Sequence, residues 1–300
     1  MWRKAAIAAA CLAGLGVGAY FSRHALHRAV HAISTADSNW LSLAALAFIG
    51  ATIAAAGSWM CAVGLAGGET TLLDSCFRFG AGSLVNTFVP FRAGDAVRIA
   101  LFSRRVPHAH RVRATTGSFA ALGAARAVAL AALVAGGAIA GAIPLWPLAV
   151  LAGLVATAVA VSYFARRHDL GHLLDAFKAL DRRSGPRLVG WIVAGTVFRY
   201  LAAAAVCASL GIHAAFAGAI IILPALDLAG LFPVTPGNVG LTSGAIAVAL
   251  KTHHVPFHDG LAAGIAFHAV ETGIGLLFGL AAVVWFAPAL RARARLTSVL

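Results

Sequence analysis

Residues 88–105 read FVPFRAGDAVRIALFSRR, and residues 232–250 read FPVTPGNVGLTSGAIAVAL. Each is an apolar stretch interrupted by the same spacing, P-x-x-x-G, from Pro90 to Gly94 in the first and from Pro233 to Gly237 in the second. A proline cannot donate its backbone N–H and a glycine loosens a helix, so each interruption is expected to end one half-helix and start another. The first broken stretch runs from Leu72 to about Leu101, the second from Ala214 to Leu250.

The surrounding chain is a membrane protein by composition. Of its 300 residues 61% are hydrophobic and 11% charged, and the mean hydropathy is +0.89, outside the range of soluble domains. Six segments are long enough to cross a bilayer as helices, at about 5–21, 41–63, 115–141, 144–165, 188–210 and 259–287. The first follows MWRK and is expected to stay as a helix instead of being cleaved as a signal peptide. Arginines and lysines crowd two connections, Arg78 to Arg113 and Arg166 to Arg187, and join Arg3, Lys4 and Arg291 to Arg295 on one side. By the positive-inside rule both termini are cytoplasmic, in the cell membrane.

With six crossings and this orientation, the first broken stretch enters and leaves from the cytoplasm and the second from outside. The expected fold is therefore all-α and polytopic: one integral membrane domain with six full spans and two opposed re-entrant hairpins. It forms an inverted repeat, the first half at about 1–142 and the second at about 143–290.

Charge inside such a chain marks candidate chemistry. In the first hairpin Asp95 suits an N-cap, with Arg98 three residues on and able to pair with it. The freed N–H groups of that half-helix, with Arg92 and Arg98, suit an anion such as a phosphate. In the second hairpin Thr235 reads as an N-cap before Pro236, while Gly237, Asn238 and Gly240 let a headgroup approach the backbone. Arg126, Arg199, Asp227 and Glu271 fall within apolar segments, where an ionisable group is costly unless paired or hydrated. Arg126 lies 32 residues after Gly94 and Glu271 lies 34 after Gly237, so the two occupy matching depths and are candidates for an ion pair. His268, one turn before Glu271, is placed to share its proton.

Other classes find little support. The net charge of +13 comes from residues at the ends of apolar segments and not from one solvated face, so lipid and not nucleic acid is the expected partner. Cys11, Cys61, Cys76 and Cys207 are scattered without metal spacing. His24, His27 and His31 read as one face of an interfacial helix, and His253, His254 and His258 as an outer loop, so neither a metal nor a cofactor is expected. No nucleophile triad, GxxxxGK loop or HExxH occurs, and the chain is not expected to be an enzyme.

The paired motifs FVPFRAGDAVRIALFSRR and FPVTPGNVGLTSGAIAVAL resemble the lysylphosphatidylglycerol synthase transmembrane-region family of flippase-like membrane proteins, over nearly the whole chain. The resemblance implies translocation of a lipid or lipid-linked headgroup, an anionic phospholipid or a polyprenyl phosphate. It argues against synthase activity, because the aminoacyltransferase domain of the bifunctional members is not expected here. It also implies binding roles for Pro90, Arg92, Gly94, Asp95 and Arg98 and for Pro233, Pro236, Gly237 and Gly240. Where the family commonly carries a glutamate after the second glycine motif this chain has Ser243, and where it carries Glu-Arg this chain has Ala125 before Arg126. The alternative expectation is a non-transporting membrane subunit that regulates or scaffolds a lipid- or glycan-modifying enzyme.

Overall fold

The computed structural model describes residues 23–89, 93–107, 111–139, 141, 153, 184–213, 215–230 and 238–297. Among them nine helices occur and no strand: α1 Arg23–Ser34, α2 Ser38–Leu65, α3 Leu72–Phe88, α4 Ala93–Ser103, α5 Arg111–Ile139, α6 Ser184–Ser209, α7 Ala215–Ala229, α8 Val239–Lys251 and α9 Phe257–Thr297. Apolar segments long enough to cross a membrane lie in α2 (Ser38–Leu65), α5 (Ala114–Ile139), α6 (Gly185–Ser209) and α9 (Phe257–Pro288). These match four of the expected spans; those at 5–21 and 144–165 lie outside the described residues. The protein is an all-α, polytopic membrane protein.

Between the long helices stand two pairs of short ones. With 17, 11, 15 and 13 residues, α3, α4, α7 and α8 fall short of the roughly 20 residues that a hydrocarbon core of about 30 Å demands. Each pair folds back on itself. In the first, Asp74 at the start of α3 meets Arg105 just beyond α4 at 3.2 Å, so the chain returns to the end it left. In the second, Gly218 near the start of α7 abuts Leu250 near the end of α8.

The two long helices at the centre, α2 and α6, run antiparallel. Asp37 caps α2 by accepting from the Asn39 N–H at 2.8 Å, and its own backbone N–H donates to the carbonyl of Ser209, the last residue of α6, at 2.9 Å. Further along, Gly50 lies under the Phe198 ring and Gly57 under the Trp191 indole. Small residues let these backbones approach closely where lipid supplies no hydrophobic drive.

Exchanging α2 with α6, α3 with α7, α4 with α8 and α5 with α9 turns each contact between these helices into another that is also made. Thus α3 packs on α9 as α7 packs on α5, α4 packs on α5 as α8 packs on α9, and α2 packs on α6 in both senses. Only α1, which lies on α9, has no counterpart among the described residues. Because α2 and α6 point opposite ways, the two hairpins dip from opposite ends of this central pair. Each has its own apolar core: Trp59, Val63, Phe102, Leu122, Leu188 and Ile192 for the first; Phe48, Ile222, Leu223, Ile246, Leu250 and Phe267 for the second. Trp59 stacks on Phe102 with centroids 4.8 Å apart, and Phe267 meets Phe48 edge-on at 4.8 Å.

Candidate functional site

The charges that the sequence placed at membrane depth converge between these two cores. Arg126 is central in Ala114–Ile139, and Glu271 is within two residues of the centre of Phe257–Pro288. Arg98 and Asp95 come from the first hairpin, Asp227 from the second, and Arg199 from α6.

Arg98 is engaged on every side. Its Nη1 donates to Asp95 Oδ1 at 2.6 Å, Nη2 to Ser83 Oγ at 2.8 Å and Nε to the Phe79 carbonyl at 3.3 Å. Its guanidinium also lies over the Phe79 ring, 3.9 Å from the centroid, a cation–π contact. Residues 79 and 83 share one face of α3, so Arg98 staples α4 to α3. The expected Arg98–Asp95 pair is present. The expected cap is not: Asp95 is the third residue of α4, inside its first turn. The helix starts earlier because Asn86, near the end of α3, takes the capping role across the break, its Oδ1 accepting from the Gly94 N–H at 2.7 Å. Gly94 and Gly82 pack so closely that a Cβ on either would strike the other hairpin arm. Pro90 and Arg92 lie outside the described residues.

At the mouth of this hairpin Asp74 receives Arg78 Nε at 2.6 Å, Arg105 Nε at 3.2 Å and the Thr70 hydroxyl at 2.8 Å. Arg78 Nη1 reaches the Leu101 carbonyl at 2.5 Å. Asp74 and Arg78 stand four apart, the spacing of an ion pair along one helix face, which is visible in the sequence. A polar groove of about 430 Å³ opens beside them, lined by Glu69, Arg104 and Arg105.

The second hairpin is held differently. Asn238 caps α8 in the left-handed region at φ 57 and makes no capping hydrogen bond with its side chain; instead its Nδ2 donates to the Ala229 carbonyl at 3.1 Å. Asparagine tolerates that conformation better than most residues. Thr235, Pro236, Gly237 and Pro233 lie outside the described residues. Among the described residues nothing lies within 4 Å of where a Cβ on Gly240 would stand. Asp227 accepts from Arg199 Nη1 at 3.0 Å, and this pair is more open than Arg98–Asp95, with side chains 32% and 40% exposed against 12% and 20%.

Arg126 stands between the two pairs. It lies within electrostatic reach of Arg98, Asp95, Arg199 and Asp227, yet its side chain is exposed and, among the described residues, makes no hydrogen bond or ion pair. The Arg126–Glu271 pair is therefore not formed. Glu271 instead lies within electrostatic reach of Arg199 and His268. His268 is half-buried, and neither of its ring nitrogens finds a partner among the described residues; the same holds for Ser243 Oγ and Asn238 Oδ1.

Among the described residues no group of histidine, cysteine, aspartate and glutamate side chains is arranged to hold a metal, and Cys61, Cys76 and Cys207 are free thiols. His27 and His31 are exposed on α1.

No curated protein and no solved structure matches the chain. A match to a family does exist, and it spans both hairpins and every mid-level charge, running from residue 4 to residue 279. The chain belongs to the lysylphosphatidylglycerol synthase transmembrane-region family.

Proposed function

We propose that this protein moves a phosphate-bearing anionic lipid, a phospholipid or a polyprenyl-phosphate-linked headgroup, between the leaflets of the cell membrane, and does so as a transporter and not as an enzyme. One observation carries the reading: at mid-depth, between two oppositely directed hairpins, Arg126 is exposed and unpaired among the described residues, while the arginine of each neighbouring pair is already engaged. An unpaired guanidinium at mid-membrane depth is costly. A phosphate removes that cost through bidentate hydrogen bonds.

The rest of the architecture fits this use. The hairpins are re-entrant, the first from the cytoplasm and the second from outside, and the halves at about 1–142 and 143–290 form an inverted repeat whose rocking alternates access to the midplane. Both termini are cytoplasmic in this orientation. The groove at Arg104 and Arg105 then faces the cytoplasmic headgroups. An apolar groove of about 590 Å³ lined by Phe77, Ala281, Val284, Trp285 and Pro288 lies at the same end and takes an acyl chain. Arg98, which the sequence suggested as a phosphate ligand, supports the wall of the site instead.

The test is translocation of headgroup-labelled phosphatidylglycerol in liposomes containing the purified protein. Arg126→Ala is expected to slow it by about a hundredfold, the loss of two charge-assisted hydrogen bonds. Undiminished movement in Arg126→Ala sinks the site, and no movement by the wild-type protein favours a non-transporting subunit acting on a partner enzyme.

A further inference from the structure

We infer that Glu271 is a proton-binding site coupled to the anion site, so that a phosphate monoanion at Arg126 and a proton at Glu271 are taken up together; this rests on the reading of Arg126 above. Among the described residues the mid-level cluster holds three guanidinium groups, Arg98, Arg126 and Arg199, and three carboxylates, Asp95, Asp227 and Glu271. With every group ionised the cluster is neutral. A phosphate monoanion makes it negative, and a net charge in a medium of low dielectric is expensive. Protonating one carboxylate restores neutrality.

Geometry selects which one. Asp95 accepts from Arg98 and Asp227 from Arg199, so each already has a guanidinium in direct hydrogen-bond contact. Glu271 has Arg199 only at longer range, and that arginine is already shared with Asp227. Its other neighbour is His268, whose Nδ1 and Nε2 are buried without a partner among the described residues. A neutral imidazole nitrogen one turn away is an acceptor for the hydroxyl of a protonated Glu271. The packing of α8 on α9 places this pair: Gly260 lies against Ala247 and Gly264 against Ser243, and continuing that register brings His268 level with the first residues of α8.

Among the described residues no other acidic or basic side chain from the packed elements is placed at this level. α2 carries no charged residue, and Lys251, the one charged residue of α8, closes that helix at its far end. Arg78 of α3, with Asp74, lies beside Phe286, about 22 Å along α9 from Glu271. His27, Arg28 and His31 belong to α1, which joins directly to the start of α2, and α6 supplies Arg199. The Arg199–Asp227 ion pair, within electrostatic reach of Arg126 on one side and of Glu271 on the other, thus links the two sites. By reciprocity, a proton at Glu271 tightens the anion at Arg126 as much as the anion favours the proton.

The experiment measures proton uptake by detergent-purified protein in weak buffer as short-chain phosphatidylglycerol, or inorganic phosphate, is added. The wild-type protein is expected to take up about one proton per lipid bound and to bind about tenfold more tightly in acidic than in alkaline buffer. Glu271→Gln, which resembles the protonated acid, is expected to take up none and to lose the pH dependence. Uptake with inorganic phosphate as well assigns recognition to the phosphate group, and uptake with the lipid alone assigns it to the lipid headgroup. Binding by the wild type without uptake, or unchanged uptake in Glu271→Gln, overturns the coupling while leaving the anion site standing. Binding of neither probe overturns the anion site and the coupling with it. Should Glu271→Gln fail to fold, Arg126→Ala decides: proton uptake on lipid addition that persists there overturns the coupling.

Discussion

In the first hairpin Arg98 ties α4 to α3 through Nε, Nη1 and Nη2, whereas in the second the amide of Asn238 reaches one carbonyl, that of Ala229. The arms of the first are capped across the break by Asn86 and pressed together at Gly82 and Gly94. Those of the second leave Asn238 Oδ1 and Ser243 Oγ without partners among the described residues, and Gly240 in open space. The two share one topology and divide its tasks. A hairpin that satisfies its own charge makes a fixed wall, while one that keeps unsatisfied polar atoms beside His268 and Glu271 has donors and acceptors left for an incoming group.

The largest effect expected from this difference is at Arg98. Arg98→Ala leaves Asp95 unpaired in a mostly buried place and strips Ser83 of its donor, a loss of about 3–5 kcal/mol. The midpoint of thermal unfolding in detergent should fall accordingly, and Arg98→Lys should recover little, because an ammonium cannot reproduce the fork. Asn238→Ala should cost about 2 kcal/mol, for one hydrogen bond and for an alanine in the left-handed region. Equal losses at the two positions would erase the contrast.

A second probe adds a methyl group to each hairpin. Gly94→Ala drives a Cβ into the Gly82 carbonyl and the Asn86 amide, backbone and cap together, at about 1–3 kcal/mol or more. Gly240→Ala meets nothing within 4 Å among the described residues and lies in the first turn of α8, where alanine is favoured over glycine by up to about 1 kcal/mol. Opposite signs of the change in melting temperature are expected; a destabilised Gly240→Ala would mean that the second hairpin is packed as tightly as the first.

The sequence exposed the breaks and the depth of the charges, because proline, glycine and an arginine in an apolar run are local signals. It did not expose who meets whom. Asp95 read as a cap because it follows Gly94, but the cap is Asn86, eight residues upstream and brought near by the fold of the hairpin. Arg199 and Asp227 stand 28 residues apart on different helices, and no periodicity marks their pairing, since α6 and α7 are apolar almost all the way round. Arg126 and Glu271 each stand near the middle of a long apolar helix, yet position along a helix says nothing about its rotation, and it is Arg199 that has Glu271 within electrostatic reach.

The smallest expected effect is the most discriminating. Ser83 and Ser243 are serines on the two hairpins, the one accepting from Arg98 and the other buried with its hydroxyl unpaired among the described residues. Ser83→Ala should cost about 1 kcal/mol, since it removes the partner of a charged donor. Ser243→Ala removes a hydroxyl that was desolvated without compensation, so it should be neutral or stabilising by up to about 1 kcal/mol in the protein without lipid. If the second hairpin is the adjustable one, Ser243→Ala should nevertheless weaken phosphatidylglycerol binding. A group that contributes nothing to the empty fold and something to the complex belongs to the complex. Should Ser243→Ala instead lower the melting temperature as much as Ser83→Ala, its hydroxyl is already engaged, and the second hairpin is as self-satisfied as the first.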